Sequence, residues 1–364
     1  MSAKWPNWLP IRKDLANLTP YGAPQVNAKV RLNTNENPYS LSRELQESLT
    51  SAIKRELADL NRYPDRDAIK LRTDLANSLR DETGLTLEAS SIWAANGSNE
   101  IIQSILLAFE GAALGFEPSY SMHPLITEVV GKNWVSIART ANYEVTKNEI
   151  ELAIKSDDAK IVFLTTPNNP TGNSTDISLI EKLAGGLMSR GALLVVDEAY
   201  AEFSSQPSAI TLLGSYPNIL VSRTMSKAFA FAGARLGYLV ADRKVIEAIE
   251  LVRLPYHLSS LTQAAARAAL ANRGALQIDV KRLSESRDQL AKALGELGLT
   301  VYASDANFIL FGGFRQSAEE LWRNLLDKGV LIRDVGLAGK LRVTIGTEDE
   351  NRAFLVALKQ SVRG

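Results

Sequence analysis

The feature that most constrains the fold is a series of short apolar runs that alternate with helical patterns over residues 91–242. The runs are SIWAAN, AALGF, WVSIA, KIVFLTTP, ALLVVDEAY, NILVSRT and RLGYLVAD. Strands that alternate with helices predict βαβ units and a mostly parallel sheet. KIVFL and ALLVV are continuously apolar, as expected of strands buried on both faces. Ligands of such sheets bind at the carboxyl ends of the strands, so the polar residues after each run are the candidates for a site.

The segments on either side of this series have a different texture. The first forty residues are rich in Pro, Asn and Trp, which indicates an irregular arm. Beyond about residue 265, a long helical pattern over 276–298 precedes the strand-like runs VYASDANFILFGG, VLIRDVG and LRVTIG. The sequence therefore predicts an arm that contributes to a small domain (1–40), a large domain (41–265) and a small C-terminal α+β domain (266–364).

Composition excludes several kinds of site and partner. The chain has no cysteine, so disulfides, thiolate nucleophiles and cysteine metal sites are impossible. Its two histidines, His123 and His257, are too few for a multi-histidine metal site. Basic and acidic residues both number 41, and this balance argues against a nucleic acid or a membrane surface as the partner. The N-terminal sequence has no apolar core like that of a signal peptide, so we expect a cytoplasmic protein.

Two motifs early in the series could bind a phosphate and a flat ring. In NGSNE, Gly97 allows close backbone approach, and the N–H groups that open the next helix suit a phosphate. An ordinary helix cap would use the same residue types. In PSYS, Tyr120 follows the run AALGF, where it could stack on a ring or simply pack at a domain seam.

Two further motifs place polar groups after buried strands. TTPNNPTG exposes Asn169 after KIVFL, although turns of this composition are common. In VVDEAY, the carboxylate of Asp197 enters a poorly solvated place and needs a cationic partner. That partner could be a protonated pyridine nitrogen, a Lys or Arg side chain, or a metal. A metal is disfavoured because no cluster of ligands is near in sequence.

The segment SRTMSKAFAFAGARLG contains the strongest candidate. Lys227 follows NILVS among small and apolar residues, and desolvation there would lower its pKa and free the amine to form a Schiff base. Thr224 and Ser226 add hydroxyls, and Arg235 offers a bidentate fork to a phosphate. A lysine for a Schiff base, an acidic partner for a ring nitrogen and phosphate anchors are what pyridoxal 5′-phosphate (PLP) needs from a protein.

With these motifs, and with RLNTNENP, NRYP, PSYSMHP, VVDEAYAEF and LRVTIG, nearly the whole chain resembles the fold-type I PLP-dependent aminotransferases. It is most similar to the histidinol-phosphate aminotransferases. The resemblance implies an α/β fold whose large domain has a mostly parallel seven-stranded sheet flanked by helices, beside a smaller α+β domain. It also implies a homodimer with shared active sites. The implied reaction is a ping-pong exchange, in histidine biosynthesis, between L-histidinol phosphate plus 2-oxoglutarate and imidazole-acetol phosphate plus L-glutamate.

The resemblance implies a role for each residue that matches a cofactor position. Lys227 carries PLP and moves the substrate proton, while Asp197 pairs with the ring nitrogen. Asn169 and Tyr200 hydrogen-bond the phenolic oxygen of PLP, and Tyr120 stacks on its ring. The residues expected around the phosphate are Gly97, Ser98, Asn99, Thr224, Ser226, Arg235 and, from the neighbouring subunit, Tyr63.

On the substrate side, Arg342 matches an arginine that binds a carboxylate, and Arg333 matches one that meets a substrate phosphate. Tyr21 and Tyr256 resemble pocket tyrosines near the substrate side chain, although simple packing is an alternative for both. The chain departs from some relatives in the short connection between Arg333 and Arg342. It also has Met225 where Leu is commoner.

Several alternatives stay open at the level of sequence. An aromatic amino acid aminotransferase would keep every PLP residue, and a phospho-amino-acid decarboxylase has a similar fold. From another class, a non-catalytic PLP-fold binding or regulatory protein would also keep Lys227, although the arm is too short for the DNA-binding domain that such proteins usually carry. A dinucleotide-dependent oxidoreductase is disfavoured because no G-x-G-x-x-G opens a strand–helix turn.

Overall fold

The structure, a computed structural model, describes residues 5–20, 22 and 26–362. Its helices are α1 (Arg43–Glu56), α2 (Ile69–Thr83), α3 (Ser98–Ala108), α4 (Met122–Val129), α5 (Lys147–Ile154), α6 (Ile177–Met188), α7 (Arg243–Val252), α8 (Ser260–Ala271), α9 (Arg273–Glu296), α10 (Ala318–Asp327) and α11 (Glu348–Val362). Its strands are β1 (Val30–Arg31), β2 (Ile92–Ala95), β3 (Ala112–Glu117), β4 (Trp134–Ala138), β5 (Ala159–Thr165), β6 (Leu193–Asp197), β7 (Ile219–Thr224), β8 (Gly237–Ala241), β9 (Thr300–Val301), β10 (Phe308–Gly312), β11 (Val330–Leu331), β12 (Arg333–Asp334) and β13 (Lys340–Thr344). None of the helices in these ranges combines the length and the apolarity that crossing a membrane requires.

Seven strands form the large sheet, in the order β2-β8-β7-β6-β5-β3-β4. β8 is antiparallel to both of its neighbours, and the other pairings are parallel. The mostly parallel seven-stranded sheet is therefore confirmed. Successive residues of β5 and β6 enter different cores: Phe163 and Val195 pack on one face, Leu164 and Val196 on the other. Both faces are covered by helices, which is why these runs are continuously apolar.

The start of α3 differs from the start of most other helices. Side chains such as Ser42, Asp176 and Asp242 accept hydrogen bonds from the first backbone N–H groups of α1, α6 and α7. The residue before α3 is instead Gly97, with φ of +84° and no side-chain cap. The N-cap residue of α3 therefore offers no side chain to the first N–H groups, and an anion could approach them there.

A smaller α+β unit packs against the large one, as predicted. Its four strands follow the order β12-β13-β10-β9 with antiparallel pairing, around a core that includes Phe308, Phe311 and Phe354. The N-terminal arm joins this unit because β1 pairs in parallel with β11. This pairing brings the polar residues that follow β1 to the seam between the two cores.

The boundary predicted between residues 265 and 266 lies within α8. Ala265 and Ala266 on this helix are both buried in the large core. The next helix, α9, has Leu276 in the large core and Leu283 in the small one. We propose that α9 carries the chain from the large domain to the small domain.

Candidate active site

A cavity of about 510 Å³ lies where the carboxyl ends of the parallel strands meet the small unit and the arm. The predicted site residues that line it are Ser98, Asn99, Tyr120, Asn169, Asp197, Tyr200, Thr224, Ser226, Lys227, Arg235, Arg333 and Arg342. They come from the ends of separate strands and from both cores, so only the tertiary fold brings them together.

One end of the cavity is a cradle formed by Gly97, Gly237 and Arg235. A Cβ placed on Gly237 would lie 2.7 Å from the carbonyl carbon of Gly97 and 2.8 Å from the backbone nitrogen of Ser98. A Cβ on Gly97 would lie 2.7 Å from Nη2 of Arg235. The open N-terminus of α3 and a guanidinium therefore converge, an arrangement that suits a phosphate.

Hydroxyl groups border this cradle. The Thr224 hydroxyl oxygen lies 3.0 Å from that of Ser226, and the Ser226 backbone N–H donates to Thr224 Oγ1 at 3.1 Å. The Tyr120 hydroxyl donates to Asn99 Oδ1 at 3.2 Å. This last bond fixes the Tyr120 ring beside the cavity, where it can stack on a planar ligand.

Asp197 has a buried carboxylate that is held from two sides. Its Oδ2 lies 3.1 Å from Nε2 of His123, and the backbone N–H of Ala199 donates to Oδ1 at 3.3 Å. The imidazole of His123 is itself buried and stacks on Phe163, with ring centroids 4.6 Å apart. A carboxylate fixed in this way suits a protonated ring nitrogen. His123 had no predicted role, although it lies in the same PSYSMHP motif as Tyr120.

Lys227 has the environment that the sequence predicts. Burial, reinforced by the nearby charges of Arg342 and Arg235, lowers its pKa from 10.5 to about 8, and Glu36 partly offsets this effect. Its Nζ donates a hydrogen bond to the carbonyl oxygen of Thr34 at 3.0 Å. A lysine with this pKa holds far more neutral, nucleophilic amine near neutral pH than a lysine that titrates at 10.5.

Two arginines from the small unit also line the cavity. The buried Arg342 donates through Nη1 to Asn169 Oδ1 and through Nη2 to the carbonyl oxygen of Asn33, the latter at 2.8 Å. Arg333 is its direct partner in the β12–β13 pairing, so both side chains leave the same face of the sheet. Two like charges in such a pair repel each other, and an anion bound between them would relieve the repulsion.

The two asparagines of TTPNNPTG have different surroundings. Asn169 lines the cavity, whereas Asn168 is fully buried. The Oδ1 atom of Asn168 accepts hydrogen bonds from Ser119 at 2.9 Å and from Arg139 Nη2 at 3.0 Å. Burial lowers the pKa of Arg139 to about 9. Asn168 therefore anchors the loop that presents Asn169.

Four predicted site residues are not among those that line the cavity: Gly97, which belongs to the backbone cradle, and three tyrosines. Tyr63 and Tyr256 stack on each other with centroids 4.4 Å apart, and they are 80% and 42% exposed. Tyr21 lies outside the described residues. Within the ranges that the structure describes, there is no group of three or more His, Asp or Glu that could hold a metal ion.

The arm supplies cavity residues that the sequence analysis did not assign, namely Asn33, Thr34, Asn35 and Glu36. They belong to RLNTNENP, one of the motifs on which the family resemblance rests, and none of them had a predicted role. A dense run of polar residues directly after Leu32, which follows the short strand β1, is the signal that could have identified them. Their distance in sequence from the other site residues hid the connection.

Comparison with known proteins agrees with this geometry. The family described as aminotransferase class I and II matches residues 27–358. A histidinol-phosphate aminotransferase from Mycobacterium sp. (strain JLS) is 51% identical over 353 residues, which are 96% of this chain and 93% of that protein. Its counterpart from Mycobacterium avium (strain 104) is 51% identical over 97% of this chain and 88% of its own length.

A solved structure supports the same fold. The histidinol-phosphate aminotransferase of Sinorhizobium meliloti, determined in complex with pyridoxal-5′-phosphate, superposes with a TM-score of 0.86. The match covers 97% of this chain and 98% of that one at 24% identity. The sequence relatives and the family match together establish that the chain belongs to the class I and II aminotransferases and, within them, to the histidinol-phosphate aminotransferase family.

Proposed function

We propose that this protein is a PLP-dependent transaminase that exchanges the amino group between L-histidinol phosphate and 2-oxoglutarate. The products are imidazole-acetol phosphate and L-glutamate. The observation that carries the proposal is the Arg333–Arg342 pair on β12 and β13, in the same cavity as Lys227. Histidinol phosphate carries a phosphate, and glutamate carries two carboxylates. Paired arginines beside a low-pKa lysine therefore suit both substrates. A cytoplasmic location remains part of the proposal.

The residues of the cavity fit PLP. The cradle at Gly97, Ser98 and Arg235 would hold the phosphate, and Asp197, positioned by His123, would pair with the ring nitrogen. When bound, PLP supplies a ring that accepts the electron pair left at the substrate Cα after deprotonation. Asp197 would favour this by keeping the ring nitrogen protonated.

Lys227 is the group of the chain that would move the proton. The pKa of its Nζ is about 8, so the amine is mostly neutral above that pH. The neutral amine would remove the proton from the substrate Cα and return it to the cofactor carbon. Thr34 supports this role, because its carbonyl oxygen accepts a hydrogen bond from Nζ at 3.0 Å and orients the amine.

The arginines would bind two different anions in turn. Histidinol phosphate lacks an α-carboxylate, so its phosphate must use the anion site. Glutamate brings two carboxylates into the same cavity. A bidentate guanidinium fork matches both phosphate and carboxylate geometry, and a ping-pong reaction needs one site to accept both substrates.

We infer a homodimer from the exposed surface around Tyr63. Tyr63 and Tyr256 stack on each other, and apolar residues close to them in sequence are also exposed, namely Leu57 (55%), Leu60 (49%) and Leu254 (73%). Exposed apolar patches of this kind often mark interaction sites. In the proposed dimer Tyr63 reaches the phosphate of the neighbouring subunit. Tyr63→Phe should weaken cofactor retention, and light scattering on the wild type should give twice the chain mass; a monomeric, fully active protein would contradict the inference.

The central experiment is a half-reaction. Protein loaded with PLP is mixed with L-histidinol phosphate in the absence of an oxo acid, and L-phenylalanine is used in a parallel sample. Loss of the visible band of the bound cofactor with histidinol phosphate at low concentration, and little with phenylalanine, is the expected result. A response to phenylalanine alone would indicate an aromatic amino acid aminotransferase. A bound cofactor with no amino transfer to 2-oxoglutarate would indicate a protein without turnover.

The anion site is tested by Arg333→Ala. The KM values for histidinol phosphate and glutamate should both rise, by about 10-fold or more, because one charge-assisted contact is worth about 1.5–3 kcal/mol. Arg323→Ala on α10 is the matched control, since Arg323 is exposed and paired with Glu319. Unchanged KM values for both substrates in Arg333→Ala would refute the assignment.

A further inference from the structure

Asn35 contacts the hydroxyl group of Tyr200 and has no role assigned to it so far. Its Nδ2 lies 2.9 Å from Tyr200 Oη, and the residue is 1% exposed. The same turn of the arm uses its backbone carbonyl groups to bind Lys227 and Arg342. Asn35 is therefore placed where a change in its side chain reaches the cofactor side of the cavity.

The hydrogen bonds around Asn35 determine which way its amide points. The backbone N–H of Asn35 donates to Thr344 Oγ1 at 3.0 Å. The Thr344 hydroxyl then directs its own proton to Asn35 Oδ1, 2.9 Å away. With Oδ1 as the acceptor in this pair, the NH₂ group of the amide faces Tyr200. The carbonyl oxygen of Asn35 is held as well, by Nδ2 of Asn307 at 3.1 Å.

This orientation makes Asn35 a donor to the oxygen of the Tyr200 hydroxyl. A hydroxyl whose oxygen accepts one hydrogen bond becomes a stronger donor in another, because the two bonds polarise each other. The Tyr200 proton is not used in the bond with Asn35. The family resemblance implies that Tyr200 hydrogen-bonds the phenolic oxygen of PLP, to which that proton would be donated.

We propose that Asn35 is a positioning residue that acts through Tyr200 to strengthen the hydrogen bond to the phenolic oxygen of the cofactor. This inference rests on the proposed function, because it requires PLP in the cavity. The stronger donor disperses negative charge on the phenolic oxygen, so the neighbouring nitrogen contributed by Lys227 holds its proton less tightly. The visible absorbance of the bound cofactor changes with that protonation and therefore reports it directly.

The backbone conformation of Asn35 decides which substitutions are informative. Its φ is +55°, a region that Asn, Asp and Gly tolerate better than other residues. Asn35→Asp keeps the shape of the side chain but replaces the NH₂ donor with an acceptor. Asn35→Gly keeps the backbone conformation and removes the side chain. Both variants therefore separate the hydrogen bond from backbone strain.

The experiment measures the apparent pKa of the visible absorbance in PLP-loaded protein over a pH series. Asn35→Asp should raise this pKa by about 0.5–1 unit, since losing or reversing a hydrogen bond shifts a titration on this scale. Tyr200→Phe should raise it at least as far, and Asn35→Gly combined with Tyr200→Phe should add no further shift. Asn351→Asp is the control, because Asn351 is a buried asparagine that bonds the backbone of Gly346 in the small unit. The visible absorbance of the PLP-loaded control variant should titrate with the same apparent pKa as the wild type.

The outcomes separate this inference from the proposed function. If both Asn35 variants keep the wild-type pKa while Tyr200→Phe shifts it, Asn35 does not act through Tyr200. Shifts that simply add in the double variant would overturn the inference in the same way. Should Asn35→Asp fail to fold, Asn35→Gly alone decides between these results. A wild-type protein that binds no PLP would overturn the proposed function, and this inference with it.

Discussion

Replacing Gly237 with Ala tests whether the backbone at the start of α3 anchors the cofactor phosphate. The new Cβ would lie 2.7 Å from the carbonyl carbon of Gly97 and 2.8 Å from the nitrogen of Ser98. Carbon atoms pack best at about 3.5–4.0 Å, so the two segments must separate by roughly 1 Å. Both contacts are with backbone atoms, which cannot rotate away as a flexible side chain could.

The expected effect follows from that displacement. Overpacking of this kind costs roughly 1–3 kcal/mol of folding stability. A shift of roughly 1 Å also disrupts a hydrogen bond from an α3 N–H group to the phosphate, and a bond to a charged group is worth about 1.5–3 kcal/mol. We therefore expect Gly237→Ala to bind PLP about 10- to 100-fold more weakly than the wild type.

The assay is a titration of apoprotein with PLP, followed by visible absorbance and checked by equilibrium dialysis. Gly295→Ala on α9 is the matched control, because a Cβ there meets nothing within 4 Å. It should keep the wild-type affinity. If Gly237→Ala is less stable but binds PLP as tightly as the wild type, the phosphate is not anchored at this cradle and the reasoning is refuted.

Three further predictions concern other groups. His123→Asn should lower kcat about 10- to 100-fold with PLP still bound, because Asp197 loses a hydrogen bond to its carboxylate; an unchanged kcat would contradict this. The rate at which apoprotein captures PLP should rise with pH through about 8 and then level off, because the neutral amine of Lys227 is the reacting form. A rate that continues to rise up to pH 10.5 would contradict the lowered pKa of Lys227. Burial raises the pKa of Glu202 from 4.5 to about 7, so its favourable contribution to stability is present below pH 4.5 and is lost as the pH rises through about 7. In urea unfolding, the stability of Glu202→Gln relative to the wild type should therefore be greater at about pH 8 than at about pH 5. An equal stability difference at the two pH values would contradict the prediction.

The large sheet and its main site residues could be predicted from sequence because both leave local signals. A strand buried on both faces must be continuously apolar, as KIVFL and ALLVV are, and the polar residue after it must lie at the ligand-binding edge. Asp197 and Lys227 were identified in this way. The family resemblance added Arg333 and Arg342. The local sequence pattern alone was also compatible with two exposed surface arginines.

Other features could not be predicted because they depend on residues that are distant in sequence. The packing of α8 is an example, because this helix contacts α1 and α2, which are far from it in sequence. The proximity of Gly237 to Gly97 likewise requires the β2–β8 pairing.

The sequence by itself predicted the alternation of strands and helices and a lysine suited to a Schiff base, because each depends on the character of a short segment, while the arginines came from the family resemblance. Only the tertiary structure decided that His123 meets Asp197, that the arm turn reaches Lys227 and Tyr200, and that Arg333 lies opposite Arg342. Such contacts depend on how two cores and an arm are assembled, and a linear pattern of residue types does not contain those distances.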